Sequence, residues 1–189
     1  PDALRICHIA SECAPLAKTG GLADVVGALS RYLHAQGHGV RVFLPLYAQI
    51  DRARITQAPP ALQDLPLRLG AQEYRYSVCT AALPDTSLRV HLIDCPALFH
   101  RSGLYSQDPD EHLRFLLLTR AALDACRRMD FAPHIVHCHD WHAALAPLFL
   151  RSASAKTVLT IHNVGYQGVM PASAREDLGL GEDSALLDA

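Results

Sequence analysis

The chain of 189 residues lacks three features that would at once suggest a membrane protein, a disulfide scaffold or a nucleic-acid-binding protein. No apolar run approaches the ~20 residues that span a bilayer, so no membrane partner is expected. The six cysteines include no Cys-x-x-Cys pair and no framework spacing, which argues against a disulfide scaffold. Excess charge of one sign is missing as well, because 17 Lys and Arg balance 19 Asp and Glu for a net charge of −2. The cations are scattered singly, so a nucleic-acid partner is not expected either.

The composition predicts one folded domain over residues 1–189. Half of the chain is hydrophobic and 19% is charged, which excludes a disordered chain and a coiled coil. A chain of this length can bury roughly 70% of its unfolded surface. Cys7, Cys79 and Cys138 lie in apolar, strand-like segments, and all six cysteines are expected to be buried, reduced and inert. With no signal peptide before the first apolar segment, a cytoplasmic location is expected.

Apolar segments alternate with amphipathic ones at the start of the chain. Residues 4–10 predict a buried strand, residues 22–33 carry apolar side chains at helical spacing, and residues 39–44 predict a second strand. Gly37 and Gly39 mark the end of the helix. A strand, a helix and a strand in this order imply a parallel pair with a right-handed crossover.

The remaining pattern completes an α/β fold. Leu65–Leu69 and residues 74–81 predict a hairpin around Gly70, and the other predicted strands are residues 88–94, Ile135–His139 and 156–161. A long helix is predicted with Asp108 as N-cap, Pro109 in its first turn and Glu111 three residues after the cap, ending near Arg127 and Arg128. Shorter helical patterns cover residues 141–150 and 168–189. The predicted fold is a Rossmann-like, doubly wound, mainly parallel sheet with a β-hairpin excursion.

Polar loops follow three of the predicted parallel strands, at the sheet edge where ligands bind in open α/β folds. The residues that follow these strands are, in chain order, Ser11, Glu12, Lys18, Thr19, Gly20 and Gly21, then His139, Asp140, Trp141 and His142, then His162, Asn163 and Gly165. Because the carboxyl ends of parallel strands share one edge, the three loops are expected to converge on one site.

Residues 18–21 (KTGG) lead directly into the first predicted helix. Glycines let backbone N–H groups approach a ligand, and a helix N-terminus favours an anion. Lys18 would add a compact positive charge for a phosphate, and lysine is scarce here, since Lys156 is the only other one. The tetrad matches neither Gly-x-Gly-x-x-Gly nor the P-loop pattern, so an anion site and a plain structural turn both stay open.

Four histidines lie within nine residues, at positions 134, 137, 139 and 142. Strand alternation places His137 and His139 on one face and Cys138 on the other, so the spacing gives no compact tetrahedral set and no metal is expected. Asp140 and His162 are candidate acid/base groups. Asp140 also precedes a predicted helix and is a candidate N-cap.

Several segments together resemble the bacterial glycogen synthase and plant starch synthase family. They are SECAPLAKTGGLADVVGALSRYLHAQGHGVRVFLPLY (11–47), SGLY (102–105), HIVHCHDWHAALAP (134–147) and TIHNVGYQG (160–168), in the family's order. Leu16 is a minor departure, since the family commonly has an aromatic residue there. The resemblance implies the N-terminal lobe of a GT-B glycosyltransferase, which transfers glucose with retention from ADP-glucose to the non-reducing end of an α-1,4-glucan. ADP-glucose is then a substrate, and no cofactor or metal is implied.

The resemblance also assigns roles to individual residues. It implies that Lys18, Gly20 and Gly21 lie against the diphosphate and sugar of the donor and that Tyr105 packs beside the nucleotide base. His162 would bind the transferring glucose and stabilise developing charge, and Asn163 would shape the same pocket. Glu12, Asp24 and Asp140 would bind the sugar or the acceptor, with Glu12 and Asp140 joining His162 as catalytic residues.

The resemblance further implies a second, C-terminal lobe that supplies most of the nucleotide site. Charge stabilisation at the leaving group is often the largest catalytic contribution, so the present chain, as an N-terminal lobe alone, is expected to be inactive. The alternative is a non-catalytic glucan-binding module or relic fragment, which would bind maltooligosaccharides and ignore ADP-glucose. A nucleotide-dependent oxidoreductase is disfavoured, because it would need Gly-x-Gly-x-x-Gly where this chain has SECAPLAKTGG.

Overall fold

A computed structural model describes residues 2–151 and 153–179, which build one mixed sheet flanked by helices. The strands are β1 (Arg5–Ile9), β2 (Gly39–Pro45), β3 (Ile55–Thr56), β4 (Leu65–Leu69), β5 (Gln72–Ala82), β6 (Arg89–Asp94), β7 (Ile135–His139) and β8 (Lys156–Thr160). The α-helices are α1 (Gly21–Ala35), α2 (Pro96–Phe99), α3 (Glu111–Arg128), α4 (Ala146–Phe149) and α5 (Arg175–Leu178).

The strand order is β3-β5-β6-β2-β1-β7-β8, and β4 pairs with β5 as a hairpin. The run from β6 to β8 is parallel throughout, and β5 joins it antiparallel. From β1 the chain moves outward through β2 to β6, then crosses back through α3 to β7 on the other side of β1. Right-handed crossovers in opposite directions place their helices on opposite faces of the sheet. The fold is therefore doubly wound, with its switch point between β1 and β7.

The central strands are buried because helices cover both faces of the sheet. In β1 the four residues from Ile6 to Ile9 are all at most 5% exposed. Helix α3 packs eleven of its residues into the core, among them the fully buried Arg114. None of the helices in residues 2–151 and 153–179 is long and apolar enough to cross a membrane.

Most of the predicted elements are confirmed. The β1-α1-β2 unit, the hairpin around Gly70 (φ +55°) and strands β6, β7 and β8 lie within a few residues of the predicted bounds. All six cysteines are buried and unpaired, and the sulfurs of Cys7 and Cys126 lie 3.8 Å apart. The prediction of buried, unpaired cysteines is thus confirmed.

Three helix predictions are wrong in detail. Helix α3 begins at Glu111 after Asp110, not at Pro109 after Asp108, because the Glu111 carboxylate accepts hydrogen bonds from the N–H and hydroxyl of Ser106 instead of closing a capping box. Residues 141–150 form a 3₁₀ turn (Trp141–Ala143) and the short α4 rather than one helix. Of the pattern over 168–189, the structure shows a 3₁₀ turn and α5, and residues 180–189 lie outside the described part.

Candidate active site

The loop after β1 is organised by the Glu12 carboxylate, which is 3% exposed. Its Oε2 accepts the backbone N–H groups of Thr19 (2.6 Å) and Gly20 (3.1 Å). Its Oε1 accepts the hydroxyls of Thr19 (2.7 Å) and Tyr105 (2.6 Å). A carboxylate has about four acceptor sites, so these four donors saturate Glu12. Glu12 therefore fixes residues 18–21 and ties them to the loop that carries Tyr105.

The ionisation of Glu12 reflects the same contacts. Burial alone would raise the pKa of Glu12, but the Thr19 and Tyr105 donors, together with Gly20, favour the charged form and hold the pKa below its ordinary value. The carboxylate is thus an ionised anchor at neutral pH.

Replacing Glu12 with glutamine is expected to reduce stability at neutral pH and to reduce it less in acid. A pKa that is lower in the folded than in the unfolded chain contributes stability above the ordinary value of 4.5 and loses it as the pH falls through the folded-state pKa. Urea unfolding of the unsubstituted chain and of Glu12→Gln, repeated from pH 7 downward, measures this effect. The difference between their free energies of unfolding should become smaller as the pH falls. The exposed Glu73→Gln serves as control, and a pH-independent gap for Glu12→Gln would contradict the anchor role.

Lys18 and Asp24 face solvent beside this loop. Both carboxylate oxygens of Asp24 lie 2.7 Å from the Lys18 ammonium. The Lys18 side chain is 50% exposed and the Asp24 side chain is 57% exposed. A Cβ added at Gly20 or Gly21 would meet no atom within 4 Å, so the surface of the loop is open. A surface pair of this kind is weak, and an anion can displace Asp24 from Lys18 at low cost.

Tyr105 lies deeper than an exposed loop aromatic. Its hydroxyl, besides bonding Glu12, is 2.9 Å from the Ser11 hydroxyl, and its ring stacks on His142 at 5.1 Å. Burial, and then the Glu12 hydrogen bond, raise its pKa well above the ordinary range. The structure therefore links Tyr105 to the loop after β1 and leaves its predicted contact with a base as a prediction.

The loop after β8 is held by Asp140, which follows β7. Asp140 is 7% exposed and has a positive φ of 55°, a backbone region that aspartate tolerates better than most residues. Its Oδ1 accepts the backbone N–H of His162 (2.7 Å) and, more weakly, of Asn163 (3.4 Å). The predicted N-cap role is wrong, because the Asp140 side chain makes no cap hydrogen bond to the turn that follows it.

A set of stacked histidines lies beneath His162. His8 of β1 pairs in register with His137 of β7, and His137 stacks on His139 at 4.2 Å as predicted for residues on one face. Nδ1 of His8 lies 3.1 Å from Nε2 of His139, and Nδ1 of His139 lies 3.0 Å from Nε2 of His162. Sequence reasoning missed His8, whose only signal is its place in a strand that neighbours β7.

These histidines also bear on the metal prediction. One ring nitrogen each of His8, His137 and His139 can be chosen so that the three lie within 4.8 Å of one another. The other two histidines of the predicted cluster point elsewhere: His134 accepts the backbone N–H of Arg5, and His142 contacts Ser11. Within the described part of the chain, these three histidines are the group that could hold a metal, although hydrogen bonds already use both nitrogens of His139.

The structure thus brings the three predicted loops together at the carboxyl edge of the sheet, around the switch point between β1 and β7. Glu12 arranges Lys18, Gly20 and Gly21 on the β1 side, and Asp140 arranges His162 and Asn163 on the β7 side. Ser11 links the two sides, because its hydroxyl contacts both Tyr105 and His142. The result is an open edge with a cation, exposed backbone and an imidazole, suited to binding an anionic, hydroxyl-rich ligand.

Comparison with known proteins places the chain in a family. Residues 5–188 match the family described as the starch synthase catalytic domain. Glycogen synthase 1 of Geobacter sulfurreducens is 39% identical over 191 residues, and Glycogen synthase of Treponema denticola is 40% identical over 189 residues. Each match covers 94% of this chain and 38% of the relative.

A solved structure matches the whole chain. The catalytic domain of starch synthase IV from Arabidopsis thaliana, bound to ADP and acarbose, is similar with a TM-score of 0.87 and 32% sequence identity. The match covers 100% of this chain and 39% of that one. The chain thus spans under two-fifths of the length of each of these three proteins. With the sequence match over nearly all of its length, the chain belongs to the starch synthase catalytic domain family.

Proposed function

We propose that this chain is the N-terminal lobe of a retaining glucosyltransferase that adds glucose from ADP-glucose to an α-1,4-glucan. The observation that carries the proposal is the convergence of the Lys18 loop and the His162 loop at the switch point, in a chain of the starch synthase family. The relatives carry the name glycogen synthase, and the matching solved structure holds ADP and acarbose. A cytoplasmic setting fits the six reduced cysteines.

The donor end of the site is assigned to the loop after β1. Lys18 would exchange Asp24 for the donor diphosphate, since the two carboxylate contacts are solvent-exposed. Gly20 and Gly21 would let the diphosphate and sugar approach the backbone, because no protein atom occupies the space beside them. Asp24 would lie near the sugar or the glucan acceptor, and Tyr105 would pack beside the nucleotide base.

The glucose end is assigned to His162 and Asn163. His162 would hydrogen-bond the transferring glucose and stabilise the charge that develops as the bond to the diphosphate breaks. The loop after β8 donates its hydrogen bonds to Oδ1 of Asp140, so Oδ2 can accept a hydrogen bond from a sugar hydroxyl. Saturated Glu12 is better suited to holding the donor loop than to contacting the sugar.

The rest of such an enzyme is proposed to be a C-terminal lobe of the same polypeptide. Apolar side chains are exposed along β8 and the loop after it: Val158, Leu159, Ile161, Val164, Tyr166 and Val169, each at least 44% exposed. Exposed apolar patches of this kind mark interaction surfaces. Cationic groups from the second lobe would neutralise the leaving diphosphate, so no metal is needed in this proposal.

A chimaera tests the proposal, in which this chain is joined to the part of G. sulfurreducens Glycogen synthase 1 beyond the matched region. Glucosyl transfer to glycogen is measured with ADP-glucose and UDP-glucose separately. We expect transfer from ADP-glucose, and none by the 189-residue chain alone. Lys18→Ala should lower kcat/KM about 30-fold or more, the cost of removing one partner of a charge contact that the bound donor and the second lobe would bury.

Lys156→Ala is the matched control, because it removes the only other lysine, which lies at the opposite end of the parallel strands. An equal loss in both variants would contradict the role of Lys18. Robust transfer by the isolated chain would contradict the need for a second lobe. A folded chimaera that binds maltooligosaccharide but transfers from neither donor would favour the glucan-binding module.

A further inference from the structure

His8, His139 and His162 form a continuous hydrogen-bonded chain of imidazoles from the core to the proposed glucose site. The two links are 3.1 Å and 3.0 Å long, and each joins the Nδ1 of one ring to the Nε2 of the next. His8 and His139 are 0% exposed, while His162 is half-buried. The links span three strands, β1, β7 and the end of β8, whose pairing fixes the rings in place.

The buried rings are neutral at physiological pH. Burial, followed by the charge of neighbouring His137, lowers the pKa of His8 to about 3 and that of His139 to about 2. A neutral imidazole has one N–H donor and one bare nitrogen acceptor. When all three rings are neutral, each must donate in one direction and accept from the other, so the three protons can be arranged in only two ways.

The inner end of the chain selects between these two arrangements. Nε2 of His8 is buried and has no hydrogen-bond partner in the described part of the protein. If His162 donated inward, the protons would shift along the chain and leave an N–H on that nitrogen without an acceptor. Buried N–H groups without acceptors are rarer in native proteins than acceptors without donors. The favoured arrangement leaves Nε2 of His8 bare and runs outward, from His8 to His139 to His162.

We propose that His139, anchored by His8, is a positioning residue that fixes the proton of His162 on Nδ1. Nε2 of His162 then accepts from His139, and Nδ1–H is the group that His162 offers a ligand. His162 would meet the glucose as a hydrogen-bond donor to a sugar oxygen and not as a base. This consequence rests on the proposed function, whereas the position of the proton is a property of the chain itself.

Nitrogen-15 NMR of the histidine rings in the 189-residue chain tests the position of the proton without any substrate. We expect His162 to be an Nδ1–H tautomer, with a bare, hydrogen-bonded Nε2. In His139→Phe the donor is lost while an aromatic ring remains, so an Nε2–H tautomer of His162 should appear in addition. A predominant Nε2–H tautomer in the unsubstituted chain, or no change of tautomer in His139→Phe, would overturn the proposal.

His137→Phe is the matched control. It makes the same substitution on the same face of β7 and removes a stacked ring, but His137 bonds the Thr160 hydroxyl and is not part of the chain of imidazoles. It should leave the tautomer of His162 unchanged, and a change equal to that of His139→Phe would mean that stacking sets the tautomer.

Zinc chloride separates this proposal from a metal site built on His8, His137 and His139. We expect no change in the NMR signals of their ring nitrogens when one equivalent is added, and a saturable shift of all three at one equivalent would overturn the proposal.

In the chimaera, His139→Phe should lower kcat roughly tenfold or more through misplacement of a catalytic group, with little change in KM for ADP-glucose. Unchanged kcat would contradict the positioning role, whereas a chimaera inactive before substitution would contradict the proposed function and leave the NMR result to decide the tautomer.

Discussion

Replacing His162 with alanine is expected to lower kcat for glucosyl transfer in the chimaera by about 10²–10³-fold, the cost of removing one preorganised donor from a site of developing charge. The backbone of residue 162 should stay in place, because its N–H is held by Asp140 at 2.7 Å. The substitution should therefore lower the rate of the chemical step and leave the shape of the loop unchanged. Steady-state kinetics with ADP-glucose, together with the thermal midpoint of each variant, measures both.

His134→Ala is the control for this substitution. His134 lies at the start of β7, at the edge away from the candidate site, where its ring accepts the backbone N–H of Arg5. Its loss should leave kcat within a factor of about two, since surface substitutions away from a site change little. A loss of activity in His162→Ala that is matched by a loss of folded protein, or a kcat near that of the unsubstituted chimaera, would contradict a direct role for His162.

The sequence predicted the layers of the fold well because burial on both faces leaves a simple signal. A parallel strand in the centre of the sheet is mostly apolar, as in β1 and β2. The glycines at positions 37 and 39 mark the end of α1. The start of α3 was mispredicted because the side chain that would form a capping box, Glu111, bonds Ser106 and Arg114 instead. Both partners lie within five residues of Glu111, so several local contacts compete for one carboxylate, and the spacing of the cap residues does not decide among them.

The candidate site was predicted as a set of residues but not as an arrangement. That the loops meet at one edge follows from the shared direction of the parallel strands, which the alternation of strands and helices in the sequence predicts. The hydrogen-bond donors that each carboxylate binds do not follow from the strand direction. Glu12 is saturated by donors up to 93 residues away, while Asp140 holds a loop 22 residues later. His8 joins His139 across 131 residues of sequence. Partners so distant along the chain become visible only when the strands are paired.

Glu111, whose contacts explain the wrong start predicted for α3, is also the residue whose loss should have the largest effect on stability. Glu111 bonds the guanidinium of Arg114 at 2.7 Å, and the Arg114 side chain is fully buried. Arg114 also donates from Nε to the Leu98 carbonyl, and its second terminal nitrogen has no partner in residues 2–151 and 153–179. Arginine cannot give up its proton in a protein, so this charge depends on Glu111.

Glu111→Ala is therefore expected to lower the free energy of unfolding by about 3–5 kcal/mol, as when one partner of a buried ion pair is removed. For a chain of this size this corresponds to a fall in Tm of roughly 6–20 °C, measurable by urea and thermal unfolding. The same substitution in the exposed pair of Glu73 and Arg75, 3.9 Å apart, should cost about 1 kcal/mol or less. Glu111→Ala combined with Arg114→Met should recover much of the loss, because the unpaired charge is gone. Equal effects of Glu111→Ala and Glu73→Ala would show that the buried guanidinium does not depend on Glu111.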